Sequence, residues 1–310
     1  MGTPMKALED PQGMPKPKPH QGQDWPLMTP KQRRQIDAMV ELGQTLPDDQ
    51  DKALISKALM FCPLPYRRTE EKQLVKECRV PGGNIQVVLN ALDDKIPLPF
   101  GNDAFVLDLL SSQARFRKNP EITTEHLADL MQMLGHEHFG GRDYRIFLER
   151  IRRIGAFAMR VKRRGSLAIN ARVVDVDGSA FWGAQDIERE KRGERPLMPY
   201  VIRLSPEYYA DLMTSYVPLP LEVLARFSGS PTEYSLVKWL WIRADVSASA
   251  TVVPWDELVQ ERGSSDSNVW RFQAQVRTVL AKLAPARPEV ARLFEVKPAG
   301  LLITPLDALK

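Results

Sequence analysis

One order of secondary-structure elements occurs twice in this 310-residue sequence, and it constrains the fold more than any single motif. Between Gly101 and Val174, an apolar helix is followed by a short β-like segment, two further helices and two β-rich segments. The order of helix, strand, helix, helix and two strands recurs between 230 and 305. Because this is the order of a winged helix-turn-helix, the sequence predicts two such domains.

Local signals place the elements of the first occurrence. The first helix, 102–118, ends at Asn119-Pro120, because proline cannot continue a helix. Thr124 is the predicted N-cap of the second helix. The third helix is predicted over Asp143–Ile154, and a tight basic turn at 162–165 joins the two β-rich segments.

The second occurrence carries equally clear signals. Ser230 is a predicted N-cap, with Pro231 in the first helical turn. A short strand is predicted at 251–254, and the helix after it ends at Gly263. The third helix is predicted over Asp266–Leu283, followed by two short strands.

The rest of the chain has weaker patterns. Residues 1–30 contain seven of the 25 prolines and little apolar periodicity, which predicts a disordered tail. Amphipathic spacing predicts short helices at 31–46 and 51–61, and Gly82-Gly83 predicts a turn before a strand. The predicted fold is α+β, mainly helical, with two winged helix-turn-helix domains after the tail. We expect boundaries at 1–50, 51–180 and 181–310, the last including a charged linker.

Composition excludes several functional classes. No apolar run reaches the ~18 residues of a membrane span, and the N-terminus lacks the apolar segment of a secretory signal. Cys62 and Cys78 do not form a disulfide framework or a zinc-binding spacing, and no phosphate-binding glycine loop is present. We therefore expect a cytoplasmic, non-enzymatic protein without metal or cofactor.

Positive charge is concentrated in one segment. Gly141 to Arg172 contains ten basic and two acidic residues, a net +8, whereas the whole chain carries +4. Successive residues of an α-helix are about 100° apart around its axis. With this spacing, four arginines of the third helix of the first occurrence lie opposite its apolar side: Arg142, Arg145, Arg152 and Arg153. Such a cluster is typical of a polyanion-binding surface. The alternative is a solvated face paired with acidic residues elsewhere.

The turn after this helix adds Lys162, Arg163 and Arg164, which suit a basic wing that reaches phosphates or a minor groove. The third helix of the second occurrence has a more mixed polar face. Its candidate DNA-binding residues are Ser267, Asn268, Arg271, Gln275, Thr278 and Lys282. Arginine, asparagine and glutamine can pair with bases, and lysine suits phosphate. The alternative is an ordinary amphipathic helix.

Two further patterns stay open. Among the tryptophans between 230 and 305, Trp239, Trp241 and Trp255 are predicted core residues, while Trp270 falls outside the apolar arc of its helix. A nicking enzyme is a second possibility, with His136 and His138 holding a metal and Tyr208 or Tyr209 as nucleophile. Against it, Glu137 separates the two histidines in a glycine-bounded loop.

Several stretches resemble the RepA-type plasmid replication initiators, a TrfA-like family. The resemblance covers roughly 55–306, and its matching stretches are IPLPFG at 96–101, EITTEHLADLMQMLGHEHFGGRDYRIFLERIRRI at 121–154, RLSPEYYADLM at 203–213, VPLPLEVLARFSGSPTEYSLVKWLWIRA at 217–244, VVPWDELVQERGSSDSNVWRFQAQVRTVLAKL at 252–283 and GLLITP at 300–305. This chain has Phe100 where the family usually has tyrosine, and Gln273-Ala274 where it often has Lys-Arg.

The resemblance implies an initiator that binds repeated duplex sites, or iterons, in a plasmid origin. It also implies opening of adjacent DNA, recruitment of the host initiator and replicative helicase, and a possible homodimer. A sequence-specific transcriptional repressor with the same DNA-binding residues is the main alternative. A protein-interaction module with a basic face is another.

Overall fold

The computed structural model describes residues 29–30, 32–33, 52–80, 83–124, 127–132, 140–163, 166–175, 192, 200–262 and 268–309. Several predicted features lie outside these ranges: most of the predicted tail, most of the helix at 31–46, and most of the charged linker. Over the described ranges the chain is mixed α and β, with several small sheets.

The first half alternates strands and helices. In chain order its elements are β1 (Lys52–Ser56), α1 (Lys57–Phe61), β2 (Gln73–Val80), β3 (Gly83–Ala91), α2 (Asp103–Phe116), β4 (Glu121–Thr124), α3 (Leu127–Gln132), α4 (Gly141–Gly155), β5 (Phe157–Arg163), β6 (Ser166–Arg172) and β7 (Val174–Asp175). From α2 to β6 this is the predicted order of helix, strand, helix, helix and two strands.

The second half begins with a strand and a helix that lead into the repeated order. Its elements are β8 (Tyr200–Leu204), α5 (Pro206–Thr214), β9 (Tyr216–Pro220), α6 (Leu221–Phe227), α7 (Pro231–Val246), β10 (Thr251–Pro254), α8 (Trp255–Arg262), α9 (Val269–Leu283), α10 (Pro288–Ala291), β11 (Phe294–Val296), β12 (Gly300–Ile303) and a 3-10 turn (Leu306–Leu309). From α7 to β12 the predicted order is again present, with α10 inserted before the last two strands.

The described strands form four antiparallel sheets. In the second half, β10, β12 and β11 form one sheet with β12 in the middle. In the first half, the β5–β6 hairpin extends the β2–β3 hairpin into a four-stranded sheet. Two further pairings join the halves. Strand β4 pairs with β8 and β1 pairs with β9, so both pairings cross the predicted domain boundary at residue 180.

The predicted helix at 51–61 is wrong over its first half. Residues 52–56 form β1, and only 57–61 are helical. Four of the five β1 residues are buried, because β1 is hydrogen-bonded to β9 along its edge and also packs against α2. A strand covered in this way carries a continuous apolar run, which periodicity alone does not distinguish from a helix.

Helix starts follow the side-chain chemistry of their caps. The Ser230 hydroxyl accepts a hydrogen bond from the Glu233 amide, and Pro231 occupies the first turn of α7, as predicted. Helix α9 begins at Val269 instead of the predicted Asp266. Its N-cap is Asn268, whose side-chain oxygen accepts from the Arg271 amide at 3.1 Å.

The two halves share one apolar core. Among its fully buried side chains are Phe61, Phe157, Tyr208, Phe227 and Trp239, which come from both halves. Helix α7 packs on α1, and the Phe105 ring of α2 meets the Tyr234 ring of α7 edge to face at 5.6 Å. The α2 and α7 helices, each the first of its repeated order, are therefore fixed against each other.

Candidate nucleic-acid interface

Helix α4 presents one apolar side and one basic side. Its buried side chains are Tyr144, Phe147, Leu148, Ile151 and Ile154, as the periodicity predicted. At its start, the Asp143 carboxylate accepts a hydrogen bond from the Gly140 amide at 2.8 Å, which completes the first turn. The apolar side fixes the rotation of α4, and this determines which residues face outward.

Three of the four predicted arginines of α4 are exposed on its outer side. These are Arg142, Arg145 and Arg152. The Arg145 Nε donates a hydrogen bond to the carbonyl of Gly141, one turn earlier in the helix, at 3.3 Å. Exposed Glu149 lies on the same side of the helix, so the surface is basic without being uniformly so.

Arg153 differs from this prediction. Its guanidinium donates two hydrogen bonds, of 2.6 and 2.9 Å, to the buried Asp103 carboxylate in the first turn of α2. It also lies over the Phe100 ring, 4.6 Å from the ring centre, and its side chain is only 14% exposed. Arg150 approaches the same carboxylate at 4.0 Å. Arg153 thus holds α4 against α2.

The β5–β6 hairpin places basic side chains on one face of its sheet. Arg160 and Lys162 are exposed and alternate along β5, so they share a face. Arg172 of β6 is exposed and lies opposite Ala158, which puts it on that same face. Arg163 points elsewhere and pairs with Asp211 of α5 at 2.7 Å, while Arg164 lies outside the described residues.

Helix α9 is anchored by one phenylalanine. The Phe272 ring contacts the rings of Trp239 and Trp255 edge to face, with centroid distances of 6.5 and 6.1 Å. Val276, Val279 and Leu283 continue the buried stripe, as predicted. Those indoles belong to α7 and α8, so the outward face of α9 is set by packing against both neighbouring helices.

The predicted polar residues of α9 have different surroundings. Arg271 is exposed and Gln275 is half-buried. The Thr278 hydroxyl donates to the Ala274 carbonyl at 2.9 Å. Lys282 binds both carboxylate oxygens of Glu233 in α7 at 2.6 Å, although its side chain remains 48% exposed. Ser267 lies outside the described residues.

Two residues of this face were not among the predicted DNA-binding residues. Trp270 is 82% exposed, whereas Trp239, Trp241 and Trp255 are nearly fully buried. Arg277 is exposed and lies seven residues, or two turns, after Trp270 on the same side of α9. The sequence signal that could have identified both residues is this seven-residue spacing, which places them on one side of the helix, outside the apolar stripe.

Of the residues considered for strand nicking, Tyr208 is unsuited to act as a nucleophile. The Tyr208 hydroxyl is buried and hydrogen-bonded to the Ser111 hydroxyl at 2.9 Å. Burial raises the pKa of Tyr208 well above its usual value, which disfavours the phenolate that a nucleophile needs. His136 and His138 lie outside the described residues. Among those described, no cluster of three His, Cys, Asp or Glu side chains could hold a metal.

Within the described ranges, every helix is too short or too polar to cross a membrane. No protein-family model matches the chain, and no curated protein matches it. The resemblance to RepA-type initiators therefore stays a prediction.

Crystal structures of RctB resemble the chain. A structure of selenomethionine derivatives of RctB domains 2 and 3 covers 80% of this chain and 84% of its own length, with 14% identity and a TM-score of 0.45. A second structure of RctB domains 2 and 3 covers 78% and 85%, with the same identity and TM-score. A likeness at this level carries no functional argument.

Proposed function

We propose that this protein binds duplex DNA through two winged helix-turn-helix units and acts as a plasmid replication initiator. The observation that carries DNA binding is the outer side of α4, where Arg142, Arg145 and Arg152 are exposed opposite a fully packed apolar stripe. Such a surface is the electrostatic footprint of a phosphate-binding protein.

The sheet order in the second half supports the winged-helix assignment. In a winged helix, the strand between the first and second helices joins the two strands of the wing, and β10, β12 and β11 form such a sheet. Helix α9 is then the recognition helix of this unit. In the first unit α4 holds the equivalent place, although its β5–β6 hairpin pairs with β3 instead of β4.

The two helices are assigned different tasks. Arg142, Arg145 and Arg152 of α4 act as the electrostatic anchor, assisted by Lys162 of the wing. Residues of α9 read the bases, with Asn268, Arg271 and Gln275 placed in the N-terminal part, where recognition helices contact base edges. Arg153, Arg163 and Lys282 contribute by holding helices in place, since each is engaged by a carboxylate of the protein.

Initiation is proposed on the resemblance to RepA-type initiators. The DNA target would be a set of iterons in a plasmid origin, and the partners would be the host initiator and the replicative helicase. A monomer would bind the origin and a homodimer would repress synthesis of the protein. No catalytic step and no cofactor are part of this proposal.

Anisotropy of labelled duplexes tests the DNA binding. Duplexes from the DNA that flanks the gene are compared with scrambled duplexes between about 50 and about 200 mM salt. We expect a preference on the order of 10³-fold or more for one flanking repeat. We also expect affinity to fall roughly 10³- to 10⁵-fold over this salt range if about six to ten phosphates are contacted. Equal binding to both kinds of duplex would refute specific recognition.

Plasmid maintenance separates the initiator from a transcriptional repressor. The gene and its flanking DNA are placed on a fragment that lacks any other origin, and transformants are scored for autonomous replication. An initiator maintains the fragment, whereas a repressor binds the same repeats without maintaining it. A version with Arg145→Ala and Arg152→Ala is the matched control, because it keeps the chain but weakens the anchor.

A further inference from the structure

The outer face of α9 carries an unusually exposed indole. Trp270 is 82% exposed, and among the described residues the next most exposed large apolar side chain is Val75 at 55%. Burial of a tryptophan side chain is strongly favourable, because it removes a large apolar area from water. The other described tryptophans are buried in this way, so Trp270 stands apart from the packing rule that the rest follow.

The surroundings of Trp270 favour an anionic partner with an apolar feature. Ala274, one turn further along, is exposed, and its small side chain leaves space beside the indole. Arg277 follows on the same side of the helix. Helix α9 contains no carboxylate, and it contributes Arg271 and Arg277 in addition to Lys282, whose charge is already paired with Glu233. An acidic duplex therefore complements this face in charge, and a second basic surface does not.

Within the duplex, one group matches an indole. In the major groove the base edges offer hydrogen-bond donors and acceptors, except for the C5-methyl group of thymine, which is apolar. Trp270 is the second residue of α9, in the N-terminal part of the helix that faces bases in winged-helix complexes. A large flat side chain at this position can cover such a methyl group.

We propose that Trp270 is a specificity-determining residue that packs against a thymine methyl group in the major groove. This rests on the proposed function, because it requires that α9 enters the groove. Trp270 thereby adds an apolar element to recognition by the polar residues of the same helix. Arg277, two turns away, binds the DNA backbone.

Deoxyuridine provides the test, because it differs from thymidine only in lacking the C5-methyl group. The site is first obtained by selecting duplexes from a random library with the full-length wild-type chain. Each thymine of the selected site is then replaced singly by deoxyuridine, and affinities are measured for the wild type, Trp270→Ala and Val75→Ala. Val75→Ala is the matched control, since it removes an exposed apolar side chain that belongs to β2 and not to α9.

We expect one or two thymines whose replacement weakens wild-type binding by about fourfold, the value of one buried methyl group. The same replacements should leave Trp270→Ala unaffected, while Val75→Ala behaves as the wild type. If replacing thymine by deoxyuridine changes the affinity of the wild type and of Trp270→Ala by the same factor, the proposal is overturned and Trp270 belongs to a protein-binding surface. If the wild type selects no duplex at all, the proposed function itself fails. Circular dichroism checks that Trp270→Ala is folded.

Discussion

The carboxylate of Asp108 in α2 and the ammonium of Lys238 in α7 form an ion pair buried from water, with 2% and 3% of the side chains exposed. The Tyr234 hydroxyl donates to the same carboxylate oxygen at 2.7 Å. Since α2 and α7 are the first helices of the two repeated units, this network fixes the orientation of one unit against the other. The distance between α4 and α9 is thereby set by the core.

Lys238→Met should lower the free energy of unfolding by about 3–5 kcal/mol, because it leaves the buried Asp108 carboxylate without its cation. Urea denaturation of the full chain measures this loss. The double variant Asp108→Asn with Lys238→Met removes both charges and should recover part of the stability. If the double variant were as unstable as Lys238→Met, an unpaired charge would not be the cause.

Arginines on the two sides of α4 should respond differently to removal. Arg145→Ala with Arg152→Ala removes exposed side chains, so the free energy of unfolding should change by less than about 1 kcal/mol. The slope of log affinity against log salt should become shallower by about two units, since each phosphate contact contributes about 0.9. Anisotropy titrations over a range of salt measure the slope.

Arg153→Ala is the matched control, and we expect the opposite pattern from it: a loss of stability without a change in the salt slope. Removal of Arg153 deprives the buried Asp103 carboxylate of its main partner, which should cost roughly 3 kcal/mol of stability. The salt slope should stay as in the wild type. A shallower slope for Arg153→Ala, at unchanged stability, would return this residue to the DNA-binding surface.

Asn268 has two separable roles that different substitutions can distinguish. Asn268→Ala removes the N-cap of α9 and should cost about 1 kcal/mol of stability, whereas Asn268→Ser keeps a capping oxygen and should cost little. If Asn268 also reads a base, Asn268→Ser should still lose about 1–3 kcal/mol of discrimination at one base pair. Thermal unfolding and competition binding measure the two effects. Unchanged discrimination in Asn268→Ser would assign Asn268 to capping alone.

Stability should decline at alkaline pH because of two buried phenols. Burial raises the pKa of Tyr208 and Tyr234 above the ordinary value of 10.0 in the folded chain. The unfolded chain therefore releases these protons at lower pH than the folded chain. The contribution to stability is complete below about pH 10 and is lost as the pH rises above it. Tyr208→Phe should make this decline less steep in urea titrations, and an identical decline would contradict the assignment to Tyr208.

Local sequence patterns predicted the elements of both repeated units because their causes are local. The cap at Ser230, the buried side of α4 and the apolar stripe of α9 all depend on residues within a few positions of one another. The strand order of the sheets was not predicted, since it depends on pairings such as β4 with β8 across many residues. The strand at 52–56 was mistaken for a helix for the same reason.

The candidate site shows the same division between local and distant causes. Helical periodicity placed three of the four arginines of α4, Arg142, Arg145 and Arg152, on the exposed side opposite the apolar stripe. It could not reveal that Arg153 meets Asp103, 50 residues away, or that Arg163 meets Asp211, 48 residues away. Charge density in the sequence therefore overstated the number of cations that face outward. Only the tertiary contacts separate the structural arginines from the exposed ones.

The pairing of β1 with β9 also affects synthesis of the chain on the ribosome. Residues 52–56 emerge early, but their strand partner at 216–220 is made much later. Ala53 and Ile55, which are fully buried in the finished protein, must remain uncovered or held by a chaperone during that interval. The first unit therefore cannot complete its core until residues 216–220 have left the exit tunnel, and until then the apolar side chains of β1 are exposed to aggregation.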